Sequence, residues 1–261
     1  MKREDVSLKP DSRLVDHVHV SPNAGPRRDG LTPTILILHY TGMNSAKAAI
    51  ELLADPASMV SCHYVIDETG VVVQMVPESL RAWHAGKSHW GGIDDVNSAS
   101  IGIEIHNAGH DGGLPAFPAR QMRSVEALSR DICTRNGIPG NCVLAHSDVA
   151  PGRKIDPGER FDWKGLALGG VGHWVPPARV RTQDEGLGLG TAGSMVREMQ
   201  DLLRGYGYGV EPTGLHDRQT ELAVLAFQRH FRQRRVDGRI DRSSLETLEK
   251  LIAAMPSRAE A

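Results

Sequence analysis

Seven residues over 34–40, T-I-L-I-L-H-Y, form a continuous apolar run that is β-branched in part. It is short enough to read as a buried strand. A second run, S-I-G-I-E-I-H over 100–106, alternates strictly. Ile101, Ile103 and Ile105 fall on one face, with Glu104 and His106 on the other. Cys62–Asp67 and Val71–Val76 are β-rich and separated by Glu68-Thr69-Gly70, a hairpin pattern. Asn141–His146 reads as another short strand. Helices are expected over Ser45–Ala54, stopped at Asp55-Pro56, and over Pro118–Asn136, closed by Gly137. Strands interleaved with helices over 31–175 predict one α/β domain with a mixed central sheet flanked by helices. Residues 1–30 read as a polar, extended N-terminal extension, in which His17 and His19 alternate with valines.

Composition changes at Pro176. Residues 176–193 hold Pro176-Pro177 and four glycines among few apolar side chains, which is linker composition. Beyond them, over 194–254, lie three amphipathic helical segments. Their stripes are Val196, Met199, Leu202 and Leu203, then Ala223, Val224, Phe227 and Phe231, then Leu245, Leu248, Leu251 and Ile252. A small all-α three-helix domain follows from that pattern. The third segment opens with a capping-box pattern at Ser243–Glu246.

The charges exclude some functions. Across 261 residues, 30 Lys+Arg balance 32 Asp+Glu, for a net charge of −2. No dense basic tract appears, so no nucleic-acid partner is expected. No run of about 18 apolar residues occurs, so no membrane span is expected. The start, Met1–Asp5, is polar and shows no secretory signal. The three cysteines are odd in number and lack a C-x-x-C pair, which fits a reducing compartment. The expected location is therefore cytoplasmic, with the periplasm or cell envelope as the alternative.

Two histidines, His39 and His146, end predicted strands, and Asp156 follows ten residues after His146. Strand ends at a common edge are where α/β sites form. Two imidazoles and a carboxylate suit a catalytic zinc, leaving a fourth position for a water of lowered pKa. By spacing alone these residues match no short metal motif, and buried strand-end histidines are the plainer reading. Glu104 faces either solvent or a cleft, and in a cleft it would be a general base. Lys154 is either a solvated loop cation or a partner for an oxyanion.

Five segments bear on this choice: I-L-H-Y-T (37–41), S-C-H-Y-V-I (61–66), R-A-W-H-A-G-K-S (81–88), N-S-A-S-I-G-I-E-I (97–105) and A-H-S-D-V-A-P-G-R-K-I-D-P-G (145–158). In that order they resemble the zinc-dependent N-acetylmuramoyl-L-alanine amidases of the AmpD/AmiD type, the amidase-2 family. The resemblance runs from about residue 31 to Trp174, and its closing stretch looks more like the AmiD branch. It implies His39, His146 and Asp156 as Zn2+ ligands, Glu104 as catalytic acid/base and Lys154 as the lysine polarising the scissile carbonyl. It also implies Arg81 as a substrate contact, a role suited to stem-peptide carboxylates. Trp83 and His84 either line the groove or pack against the neighbouring glycine. His63 reads as structural, and His106 is not assigned to catalysis. The C-terminal segment resembles the peptidoglycan-binding domain type 1, with His216 where that family usually has Phe or Tyr. The implied reaction cleaves the amide between N-acetylmuramic or anhydro-muramic acid and L-Ala, in peptidoglycan or in a soluble anhydro-muropeptide. Two rivals stand beside it: a non-catalytic peptidoglycan-recognition protein of the same fold, and a hydrolase cutting within the peptide.

Overall fold

The structure is a computed structural model that describes residues 9–255. The polar start at Met1–Asp5 lies outside the described residues. The elements in chain order are β1 (His17–Val18), β2 (Ala24–Pro26), β3 (Ile35–Tyr40), α1 (Ala46–Ala54), β4 (Tyr64–Ile66), β5 (Val72–Gln74), β6 (Leu80–Ala82), α2 (Val96–Ala99), β7 (Ser100–Ile105), α3 (Ala119–Asn136), β8 (Val143–Ala145), α4 (His146–Val149), α5 (Trp163–Leu168), α6 (Ser194–Tyr206), α7 (Arg218–Phe231) and α8 (Arg242–Ala253).

Six strands form one mixed sheet in the order β1-β5-β4-β7-β3-β8. Only the β4–β5 hairpin pairs antiparallel. The short strands β2 and β6 make a separate antiparallel pair that the sequence pattern did not reveal.

The apolar run of β3 is explained by what covers it. Leu36 and Leu38 join Ile101, Ile103 and Ile105 of β7 in a cluster sealed by Val125, Leu128 and Ile132 of α3. Ile35 and Ile37 face the other way. They lie in a cluster with Val196, Met199 and Leu203 of α6, Phe227 and Phe231 of α7, and Leu248 and Leu251 of α8. The three C-terminal helices therefore share the buried cluster on the second face of the sheet, together with Trp90, Val96 and Val149. The stretch between the two sets of elements lies along the helices. Leu187 bridges to Ile240, Ala192 bridges to Leu215, and Ala178 N donates to Thr247 Oγ1 at 2.9 Å.

Two expected boundaries shift. β8 stops at Ala145, and His146 opens α4 rather than ending the strand. The cap of α8 is Asp241, whose side chain accepts from Ser244 N at 2.7 Å, so the helix begins before the Ser243–Glu246 box. A short carboxylate accepts from the N3 amide as well as a serine does, and the pattern alone does not separate the two. At the other end of its helix, Gly137 takes the left-handed conformation (φ 66°) that closes α3, as expected.

Candidate active site

Parallel pairing puts His39 of β3 directly opposite Glu104 of β7. Partners in register point to the same face, so the sheet itself sets the imidazole beside the carboxyl. The α4 turn and the following loop bring His146 and Asp156 to the same place. His39 Nδ1 lies 2.9 Å from His146 Nδ1 and 3.1 Å from Asp156 Oδ2, and His146 Nδ1 lies 3.0 Å from the same oxygen. All three residues are buried.

This triangle fits a metal. Donor atoms held about 2.0–2.1 Å from one tetrahedral zinc are about 3.3 Å apart. Two imidazole lone pairs aimed at each other at 2.9 Å repel unless a cation or proton lies between them. Burial and the neighbouring His146 push His39 down to about 4, which keeps its ring neutral and able to ligate. Burial works to raise Asp156, but His146 and His39 outweigh it and hold this carboxyl well below the usual carboxylate range.

The outer ring nitrogens are fixed as well. His39 Nε2 meets His84 Nδ1 at 3.0 Å, and His84 Nε2 meets Ser100 Oγ at 3.2 Å. Ser100 Oγ donates to Val96 O at 2.6 Å. One set of tautomers satisfies the whole chain, with His39 donating to His84 and His84 donating to Ser100. His146 Nε2 faces Ala85 O at 3.2 Å. Both candidate ligands thus present Nδ1 inward and hold Nε2 by a second partner, the arrangement that orients metal-ligating histidines.

A cavity of about 320 Å³ opens on this triangle, lined among others by Tyr40, Trp83, Glu104, Arg153, Lys154 and Asp156. Glu104 Oε2 is buried and has no hydrogen-bond partner among the described residues. Burial, then the charge of Asp156, push its carboxyl well above the ordinary value, while Lys154 works against that shift. An unpartnered oxygen beside a metal-fitting triangle is free to take a proton from a substrate.

Residues 29–159 match the family described as N-acetylmuramoyl-L-alanine amidase. A relative, N-acetylmuramoyl-L-alanine amidase AmiD of Escherichia coli (strain K12), is 34% identical over 230 residues, which is 84% of this chain and 82% of AmiD. The chain belongs to the N-acetylmuramoyl-L-alanine amidase family.

The amidase also resembles solved structures along nearly its whole length. AmiD from E. coli, in complex with the substrate anhydro-N-acetylmuramic acid-L-Ala-D-gamma-Glu-L-Lys, gives a TM-score of 0.72 at 31% identity, covering 96% of each chain. AmpDh3 from Pseudomonas aeruginosa, in complex with anhydromuramic pentapeptide, gives 0.71 at 27% identity, covering 97% of this chain and 100% of that one. Residues 192–248 match a second family, described as "Putative peptidoglycan binding domain". No helix among the described residues is long and apolar enough to cross a membrane.

Of the residues singled out in the sequence, His146, Asp156, Glu104, Lys154, Trp83 and His84 line this cavity, and His39 lies behind its wall against His146, Asp156 and His84. Arg81 does not line it. Its guanidinium donates to Asp95 Oδ1 through Nε (3.2 Å) and Nη2 (3.0 Å), and Asp95 caps α2. His63 is buried, with Nδ1 accepting from Gly102 N at 3.0 Å, in keeping with a structural role. Arg153 received no role from the sequence, yet it lines the cavity and ties the 85–87 loop down by donating from Nε to Lys87 O at 3.0 Å. Its sequence signal is its place beside Lys154 in the 145–158 segment. Tyr40, which follows His39, was missed in the same way; its hydroxyl meets His110 Nδ1 at 3.0 Å.

Proposed function

We propose that this amidase hydrolyses the amide joining the lactyl group of N-acetylmuramic or anhydro-muramic acid to L-Ala of the stem peptide. In this reading His39, His146 and Asp156 hold zinc. The observation that carries it is the Nδ1–Nδ1–Oδ2 triangle beside the unpartnered Glu104 Oε2 in one cavity. The substrate in the AmiD complex and the anhydromuramic pentapeptide in the AmpDh3 complex support the choice of bond.

Zinc, when bound, supplies Lewis acidity and lowers the pKa of water. Glu104 takes the proton of the attacking water and passes it to the leaving L-Ala nitrogen. Its raised proton affinity suits both halves of that transfer. Lys154, on the cavity wall, places its ammonium toward the oxyanion that forms at the carbonyl. His84 holds His39 in one orientation, and Arg153 holds the 85–87 loop that carries the Ala85 carbonyl partner of His146.

The same proposal divides the chain into an extension over 1–30, a catalytic unit over 31–175, a connecting stretch over 176–193 and a peptidoglycan-binding helical unit over 194–254. It places the reaction in the cytoplasm, on recycled anhydro-muropeptides, a setting that suits the free Cys62, Cys133 and Cys142.

Incubating the purified protein with a soluble anhydro-muropeptide and with sacculi, then identifying products by mass spectrometry, tests the reading. Free stem peptide beginning at L-Ala is expected. Fragments cut between amino acids would replace the proposal with a peptidase. Chelation should abolish turnover, and zinc should restore it.

A further inference from the structure

The segment from His146 to Phe161 carries two of the three candidate ligands and Lys154. It contains little regular structure of its own, since α4 is four residues long. A single helical turn is not stable alone. The 85–89 loop holds one side of the segment, through His89 N donating to Val149 O (2.8 Å) and Arg153 Nε donating to Lys87 O (3.0 Å), and the C-terminal unit holds the other.

Asp148 lies two residues beyond His146 and is 1% exposed. Its Oδ2 accepts from Ala145 N at 2.8 Å, the residue just before the candidate ligand. Its two side-chain partners come from far along the chain. Tyr208 Oη donates to Oδ1 at 2.7 Å, and His230 Nδ1 meets Oδ2 at 2.6 Å. His230 is fixed in turn between two rings, with centroids 3.7 Å from both Trp163 and Phe231. Further along the segment, Leu222 of α7 packs so close to Gly152 that an added Cβ there would sit 2.5 Å from it. Gln233 Nε2 donates to Phe161 O at 2.9 Å. Residues of α7 (Leu222, His230) and of the turns after α6 (Tyr208) and α7 (Gln233) thus grip this segment at its start, middle and end.

We propose that the C-terminal helical unit is a positioning part of the catalytic centre, acting through the Tyr208–Asp148–His230 clamp to hold α4 and with it His146. A binding unit on a loose tether needs no buried carboxylate shared with the turn that carries a ligand. Donors held to within about 0.5 Å are what a metal site requires of its support, and this clamp fixes the backbone on both sides of His146. The turnover arm of the test rests on the proposed reaction; the metal arm rests only on the proposed ligand set of His39, His146 and Asp156.

The full chain and three variants decide it: Tyr208→Phe, His230→Leu and His230→Asn. For each, zinc affinity is read by competition with a chelator, and kcat and KM are read on a soluble anhydro-muropeptide. Tm is read for the metal-free protein. Tyr208→Phe and His230→Leu are expected to weaken zinc roughly tenfold and to lower kcat with KM little changed. His230→Asn keeps an N–H donor near the place of Nδ1 but loses the ring stack. It should therefore recover zinc affinity and kcat while its Tm falls as far as that of His230→Leu. Unchanged zinc affinity in Tyr208→Phe and His230→Leu overturns the proposal, as does an Asn variant no better than Leu. Should His230→Leu fail to fold, Tyr208→Phe, which keeps its ring, carries the comparison. A parent protein that binds zinc but cleaves no muropeptide would sink the amidase reading and leave the clamp standing.

Discussion

Glu104 and Gly102 sit two residues apart on the same face of β7, and each is tied to a candidate ligand. Glu104 lies opposite His39, half-buried, with one oxygen unpartnered. Glu104→Ala is expected to keep the fold and the metal but to lose about 10² to 10⁴ in turnover, the usual worth of general acid–base help. Metal content and kcat, measured together, check this; near-normal kcat with metal bound would remove Glu104 from the mechanism. Gly102 is constrained by space rather than by backbone angle. A Cβ there would meet His84 Nδ1 at 2.5 Å, and that nitrogen is the one that receives His39. Gly102→Ala should therefore push the His84 ring aside and loosen His39. Metal affinity should fall about 10- to 100-fold, as for other lost partners of metal-ligating histidines, and a chelator titration reads it. Unaltered affinity would show that His84 does not orient the ligand.

Among the elements, α3 and β4 are joined by one buried carboxylate. Glu78, 6% exposed, accepts from Arg135 Nη1 (2.7 Å) and Nη2 (2.8 Å), from Tyr64 Oη (2.6 Å) and from Asn136 Nδ2 (3.1 Å). It fastens the last turn of α3 to the sheet. Burial works to raise its pKa, but the Arg135, Tyr64 and Asn136 hydrogen bonds outweigh it and hold the carboxyl below its ordinary value. A carboxyl depressed in the folded state adds stability above its unfolded pKa, near 4.3, and that stability is lost as pH falls through the folded value. Glu78→Gln should cost about 1.5 to 3 kcal/mol at pH 7, the range for hydrogen bonds to a charged group. The gap between parent and variant should narrow below about pH 4. Denaturant melts of both proteins at several pH values test this, and a gap independent of pH would refute it.

For the whole molecule, the shared cluster on the second face of the sheet predicts one unfolding unit. Ile35, Ile37, Leu144 and Val149 share one buried cluster with residues of α6, α7 and α8. Calorimetry of the full chain should give a single transition whose van't Hoff and calorimetric enthalpies agree. Two resolved transitions would mean that the units fold independently. A chain ending near Pro176 would bare that apolar face, and exposed patches of that kind drive association. It should aggregate and lose activity on soluble muropeptide and sacculi alike. Loss on sacculi alone would instead favour a tether that raises local concentration at the polymer.

Local pattern was enough for much of this protein. The apolar run 34–40, the alternation at 100–106 and the cap at Gly137 place β3, β7 and α3, because periodicity and capping act over a few residues. His39, Glu104, Lys154, His146 and Asp156 were legible because they stand in long collinear motifs. The boundary at His146 was not, since a strand end and a helix start differ there by one backbone turn. Nor did the sequence tell that Arg81 is spent on Asp95 while Arg153 lines the cavity. Both are arginines in matched motifs, and only the packing of loops decides which guanidinium reaches the cavity. The same holds at the largest scale. A strand apolar on both faces demands two covers, but hydrophobic burial has no direction and does not name the partner. Only the tertiary structure shows that the C-terminal helices join the second cover, and that Tyr208 and His230 reach back across 60 and 82 residues to the turn beside His146.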